Sequence, residues 1–120
     1  MRLCHDYVEE LVFEIDVDWI DRYIEAEYGI MVKPLSQQPG FLEWEIIVSD
    51  SRPGEVSSIY YWQSEDAYRA IDQVFLSDLK ATVGQAIPEQ HIQFVAAIHT
   101  TNTRHRVRHV LSAELDDKEK

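Results

Sequence analysis

Thiols are almost missing from this chain: Cys4 is its single cysteine. A lone thiol has no partner within the chain, so an internal disulfide framework is excluded. Basic residues are also scarce. Lys and Arg number 11 against 22 Asp and Glu, for a formal net charge of −11. Such a chain is repelled by phosphate backbones, which argues against general nucleic-acid binding. No run of about 18 apolar residues occurs, so no membrane-spanning helix is expected. The opening "MRLCHDYVEE" has no apolar stretch of the secretory kind, and a cytoplasmic address is the expectation. Glycines number only 4, and each has a place in a turn or at a helix end. There is no GxGxxG, no phosphate loop and no Ser/His/Asp order.

What is present is a change of period along the chain. "YVEELVFEI" (7–15) puts Leu11, Phe13 and Ile15 on one face and Glu10, Val12 and Glu14 on the other, a strand pattern. In "DVDWIDRYIEAEYG" (16–29) the period becomes helical, with Val17, Ile20, Ile24, Tyr28 and Met31 as the stripe. Asp16 or Asp18 can cap that helix, and Gly29 can end it. "FLEWEIIVS" (41–49) alternates again, with Leu42, Trp44, Ile46 and Val48 on one face. "DSRPGE" (50–55) carries turn chemistry, and "VSSIYYW" (56–62) is the returning strand. Ser64 is a good helix N-cap, with Glu65 and Asp66 near the positive end of the helix dipole. Ala67, Ala70, Ile71, Val74 and Phe75 form the next stripe. Residues 76–86 continue that helix or form a second one capped by Ser77, and "HIQFVAAIH" (91–99) is the last strand.

The resulting order is β-α-β-β-α-β. It predicts a ferredoxin-like α+β fold, an antiparallel sheet with helices on one face. At 120 residues the chain makes one domain. We assign that domain to residues 1–103 and a charged tail or short helix to 104–120, "RHRVRHV" followed by acidic "ELDDKEK". The uncovered sheet face is expected to carry Val12, Ile47, Val95 and Ala97 among Glu10, Glu14, Glu45 and His99. A half-apolar open face predicts an isologous homodimer, sheet against sheet.

Residues 37–71, "QQPGFLEWEIIVSDSRPGEVSSIYYWQSEDAYRAI", resemble the antibiotic biosynthesis monooxygenase (ABM) family. The resemblance rests on Pro39, Gly40 and Phe41, the strand Glu45, Pro53 and Gly54 at the hairpin, Trp62 at the strand end, and Ser64, Glu65 and Ala67. "VEELVFEID" (8–16) is similar to a subgroup with no assigned activity. The resemblance implies a dimeric α/β barrel. It also implies one of three branches: a cofactor-independent monooxygenase of phenol- or quinol-like aromatics, a haem-degrading enzyme, or a member with no known activity. The haem-degrading set needs an Asn on the first strand, a Trp in the second helix and a His beyond it. Here "YVEELVFEI" has no Asn, Ile71 stands where that Trp belongs, and residues 75–86 contain no His. Haem degradation is therefore disfavoured, and no cofactor or metal is expected. The alternative function is a non-catalytic small-ligand-binding or stress-related dimeric module.

Cofactor-free oxidation of a phenol needs an apolar pocket and a few placed polar groups. Trp44, Tyr60, Trp62, Tyr23 and Tyr68 are the candidate pocket-lining residues. Glu45 and His99 are the candidate polar groups. Each also has a plain structural reading. Tyr60 and Trp62 share one face and can simply pack beneath the helices while Tyr61 faces the other way. Glu45 can be the wet side of a strand. His99 can be a rim residue of a dimer seam. His105 and His109 have a metal-compatible spacing but sit in an arginine-rich tail.

Overall fold

The computed structural model describes residues 6–101. The tail assigned to 104–120, with His105 and His109, lies outside the described residues, as do Cys4 and His5.

The four strands are β1 (Tyr7–Ile15), β2 (Phe41–Val48), β3 (Glu55–Trp62) and β4 (Ile92–Thr101). They form one sheet in the order β2-β3-β1-β4, and every neighbouring pair is antiparallel. Strands β1 and β3 are central, as the split βαβ arrangement requires. Alternation sets the faces. Leu11, Phe13 and Ile15 of β1 and Val56, Tyr60 and Trp62 of β3 point to the helical side and enter the core. Two apolar clusters result, one around Trp62, Tyr60, Met31 and Leu35, the other around Ile15, Tyr23, Val56 and Ile87.

The first helical segment runs longer than its sequence suggests. A 3-10 turn (Val17–Trp19) leads into α1 (Ile20–Ala26), a π-helical turn (Glu27–Val32) and a last α-helical turn, α2 (Lys33–Leu35). Gly29 does not stop it. The π turn adds residues per turn and so rotates the buried face. Tyr23, Glu27, Met31, Val32 and Leu35 are buried, while Val17 and Tyr28 of the expected stripe are exposed.

Ser64 caps α3 (Glu65–Arg69) by accepting the Ala67 N–H at 3.1 Å. The chain then breaks at Ala70–Asp72 rather than continuing. Asp72, not Ser77, caps α4 (Gln73–Ala86), accepting the Val74 N–H at 2.9 Å. This restart turns Val74 outward. No residue of α4 is buried, and Phe75, Leu76, Leu79 and Val83 cover the core only in part. The helix rests on the first helical segment, standing off the β1–β4 half of the sheet.

β4 departs from strict alternation. A bulge opposite Val12/Phe13 leaves Val95 unpaired, so Phe94 and Ala97 both face the helices. His99 follows them to that side, opposite Glu9. Ala97 and His99 are therefore not on the open face, as simple alternation predicted. One inserted residue exchanges the faces of all that follow it.

Gly40 closes the turn before β2. Its φ is 88°, its carbonyl accepts the Gln63 N–H at 2.7 Å, and a Cβ there would stand 2.5 Å from the Ala67 Cβ. Gly40→Ala is expected to destabilise the chain by about 2 kcal/mol or more, from backbone strain plus overlap. In urea unfolding, adding Ala67→Gly should recover part of that loss. Additive losses would show that the two positions do not meet.

Candidate functional site

Because α4 stands off the sheet, a cavity of about 590 Å³ opens beneath it. Leu11 and Phe13 of β1, Met31 of the π turn, and Val83 and Ile87 supply apolar walls. Phe94 stands at the β4 edge and is 56% exposed, which marks that side as an opening. Lys80 of α4 lies exposed at the rim.

Two carboxyls interrupt the apolar lining. Glu9 shares the inward face of β1 with Leu11 and Phe13. The Tyr68 hydroxyl donates to Glu9 Oε2 at 3.0 Å, and His99 Nε2 stands 3.9 Å from the same oxygen. The Tyr7 hydroxyl and His99 Nδ1 form a hydrogen bond of 2.6 Å. The Tyr7, Tyr68 and His99 rings pack mutually, with centroids 4.9 to 5.7 Å apart. His99, Glu9 and Tyr68 thus form a polar cluster on one wall, with Tyr7 behind it bonded to His99. Burial raises the Glu9 carboxyl above its ordinary range, and the Tyr68 hydrogen bond and His99 offset part of the rise.

Glu27 lies on the π turn and is only 4% exposed. The Tyr60 hydroxyl donates to its Oε2. Burial raises the Glu27 carboxyl; the Tyr60 hydrogen bond works against this, and the charge of Glu9 adds to it. The Tyr23 hydroxyl is buried beside Glu27 and Ser58, with no partner in hydrogen-bonding geometry. Burial and the Glu27 charge push both Tyr23 and Tyr60 well above the ordinary phenol range. These tyrosines therefore stay neutral, and Tyr60 serves as a hydrogen-bond donor. A buried carboxylate with a raised pKa, by contrast, is a stronger base than an exposed one.

The family model for antibiotic biosynthesis monooxygenase matches residues 7–73, more than half of the chain. The chain belongs to the antibiotic biosynthesis monooxygenase family. Solved structures share its fold. SnoaB, a cofactor-independent oxygenase from Streptomyces nogalater, superposes with a TM-score of 0.62 at 13% identity, covering 88% of this chain and 97% of that one. A monooxygenase of Streptomyces coelicolor, solved with the ligand nanaomycin D, gives a TM-score of 0.64 at 20% identity, covering 81% and 87%. A protein of the same family from Bordetella bronchiseptica gives 0.61 at 12% identity, covering 88% and 100%. No curated protein matches the chain.

Within this ABM chain the candidate residues separate by place. Tyr23, Tyr68 and His99 line the cavity. Tyr60 lies beneath it and reaches it through Glu27. Trp62 is 1% exposed and packs edge-on against Phe41 and Tyr68, at 5.3 and 6.0 Å. The hollow beside it measures only about 20 Å³, room for about one water. Trp44 is not at the cavity; it meets Tyr28 and donates from Nε1 to Ser58 Oγ at 2.7 Å. Glu45 is on the opposite sheet face, exposed, and accepts the Tyr61 hydroxyl at 2.7 Å. The reason is strand order: β2 and β4 are opposite edges, so β2 residues cannot reach a cavity under β4.

Glu9, Glu27 and Lys80 were missed. Glu9 had a signal, since it stands two residues before Leu11 on the apolar face of β1. Glu27 stands four residues after Tyr23 and four before Met31, a charge on a buried stripe. The π turn hid that stripe. Among the described residues, no helix is long and apolar enough to cross a membrane, and no group of three or more His, Cys, Asp or Glu is placed to hold a metal ion.

A folded-state pKa above the unfolded value means that the folded chain holds the proton more tightly. Glu27 therefore contributes its full stability below the unfolded carboxylate range, and that contribution is lost as pH rises through the folded value. Glu27→Gln removes this loss. In thermal melts from about pH 4 to about pH 8, the melting temperature of Glu27→Gln relative to wild type should rise with pH. A difference that does not move with pH would mean that Glu27 titrates alike in both states.

Proposed function

We propose that this chain is a cofactor-independent monooxygenase that oxidises a small phenol- or quinol-like aromatic in the cavity beneath α4. The observation that carries this reading is the His99–Glu9–Tyr68 cluster, backed by Tyr7, on one wall of a largely apolar cavity. Such a cavity can hold a flat ring away from water, and Glu9 can take the ring hydroxyl's proton. The resulting phenolate is electron-rich enough to react with oxygen directly. In oxidation of a phenol to a quinone, one oxygen atom becomes the new carbonyl. The other leaves as water with the hydroxyl and ring hydrogens. The substrate supplies all four electrons, so no reductant is consumed. Tyr68 holds Glu9 by its hydrogen bond and steadies its charge, and His99, oriented by Tyr7, stands beside it. Family membership and the fold shared with an oxygenase that works without a cofactor support this reading.

Oxygen uptake with a panel of quinols tests it. Glu9→Gln should lower kcat by about 10²–10⁴-fold while the chain stays folded. Trp62→Phe should instead lower stability, by about 1–3 kcal/mol, and leave kcat nearly unchanged. Binding without oxygen uptake for every quinol would make the chain a ligand-binding module.

We also propose a homodimer through the open sheet face. Ile47 and Ile98 lie there at 48% and 47% exposure, beside Val12 and Ile59 of the central strands. Burying such a patch against its own copy removes apolar area from water at both surfaces. Light scattering should give twice the chain mass, and Ile98→Glu should halve it. A monomer at micromolar concentration would reject the dimer.

A further inference from the structure

We propose that Arg104, Arg106 and Arg108 dock on the outward face of the chain's own sheet and pair there with Glu10 and Glu45. The register lays that face out. Glu45 of β2, Ile59 of β3, Glu10 of β1 and Ile98 of β4 form one row across it. Glu43, Tyr61, Val8 and Thr100 form the next row, toward the end of β4. Ile47, Ser57, Val12 and Ala96 form the row on the other side. Carboxylates are thus set among aliphatic side chains, and none of these residues is Lys, Arg or His. Among the described residues, neither Glu10 nor Glu45 pairs with a cation. Arg52, in the hairpin between β2 and β3, is taken by Glu55 at 3.1 Å.

The counter-charge lies in the chain beyond Thr101. Arg104, Arg106 and Arg108 are three of its 11 basic residues. Their alternate spacing lets an extended segment present all three to one side. Arginine stems can lie along Ile59 and Ile98 while the guanidinium groups meet the carboxylates. Reach permits this. Thr100 is one strand spacing and two residues from Glu10, about 8 Å. The four residues from Thr100 to Arg104 extend to about 13 Å. Glu45 is three strand spacings from β4, about 14 Å, and Arg108 can stand up to about 26 Å from Thr100. The dimer proposed above uses the same face. Two bare faces would bring like charges together across the seam, at a cost in affinity that docked arginines remove. The docking itself needs one copy only.

Crosslinking of the full chain tests the contact. Arg106→Lys gives a carbodiimide an amine to join to any carboxylate it touches. At low ionic strength, peptide mapping should link position 106 to Glu10 or Glu45. Adding Glu10→Gln and Glu45→Gln should lower the yield of those links by about fivefold or more, and so should about 1 M salt. A yield that neither change moves, or links spread evenly over other carboxylates, overturns the proposal. Mixing 15N-labelled with unlabelled chains separates the chain's own sheet from a partner's. Links of one isotope pattern are expected, and links of mixed pattern overturn docking on the chain's own sheet. The dimer fails separately: these same links in a chain that light scattering finds monomeric would reject the dimer and leave the docking standing.

Discussion

A carboxyl buried in an apolar interior needs a hydrogen-bond partner, and in this chain the Tyr60 hydroxyl supplies it to Glu27. That bond joins the central strand β3 to the π turn of the first helical segment. It fixes which face of the helix turns inward. Tyr23 and Met31, four residues before and after Glu27, are buried with it. Without the bond, Glu27 would favour solvent, and the helix would have reason to rotate. The first helical segment is also the support on which α4 rests. The position of α4, and so the space beneath it, depends on a helix anchored by one buried pair.

The space itself follows from a mismatch between the two helical layers. The first helical segment buries five side chains and fills one half of the sheet. α4 buries none. Its apolar residues lean toward the Trp62 cluster and leave β1 and β4 partly uncovered. A closely packed core has few voids of this size, so a hollow of about 590 Å³ lined by two carboxyls costs stability that full packing would have supplied. Tyr68 keeps Glu9 hydrogen-bonded and Tyr60 keeps Glu27 so, while one side of the cavity stays open.

The strand periodicities were legible because they depend on neighbours along the chain. Tyr60 and Trp62 fall on the helical side, with Tyr61 opposite, as two-residue alternation dictates. Ser64 caps its helix because a short polar side chain before an acidic first turn is a local signal. The helix stripe was less legible. A π turn changes the period within one segment, and nothing in "EAEYGIMV" (25–32) announces it. The candidate site was legible only in part. Tyr23, Tyr68 and His99 meet at the cavity, while Trp44 and Glu45 belong to a strand at the far edge. His99 reaches the cavity only because Val95 is a bulge.

By itself the sequence determined the order of elements, the inward face of each central strand and the motif around Gly40, Trp62 and Ser64. These follow from period, turn chemistry and capping, all decided within a few residues of chain. Only the tertiary structure decided which polar groups converge. Glu9 and His99 are 90 positions apart and meet because β1 and β4 pair, while Glu27 enters because the helix face it shares with Tyr23 packs on the sheet. Convergence depends on register, strand order and helix phase, and one inserted residue changes each of these without altering the local pattern that precedes it.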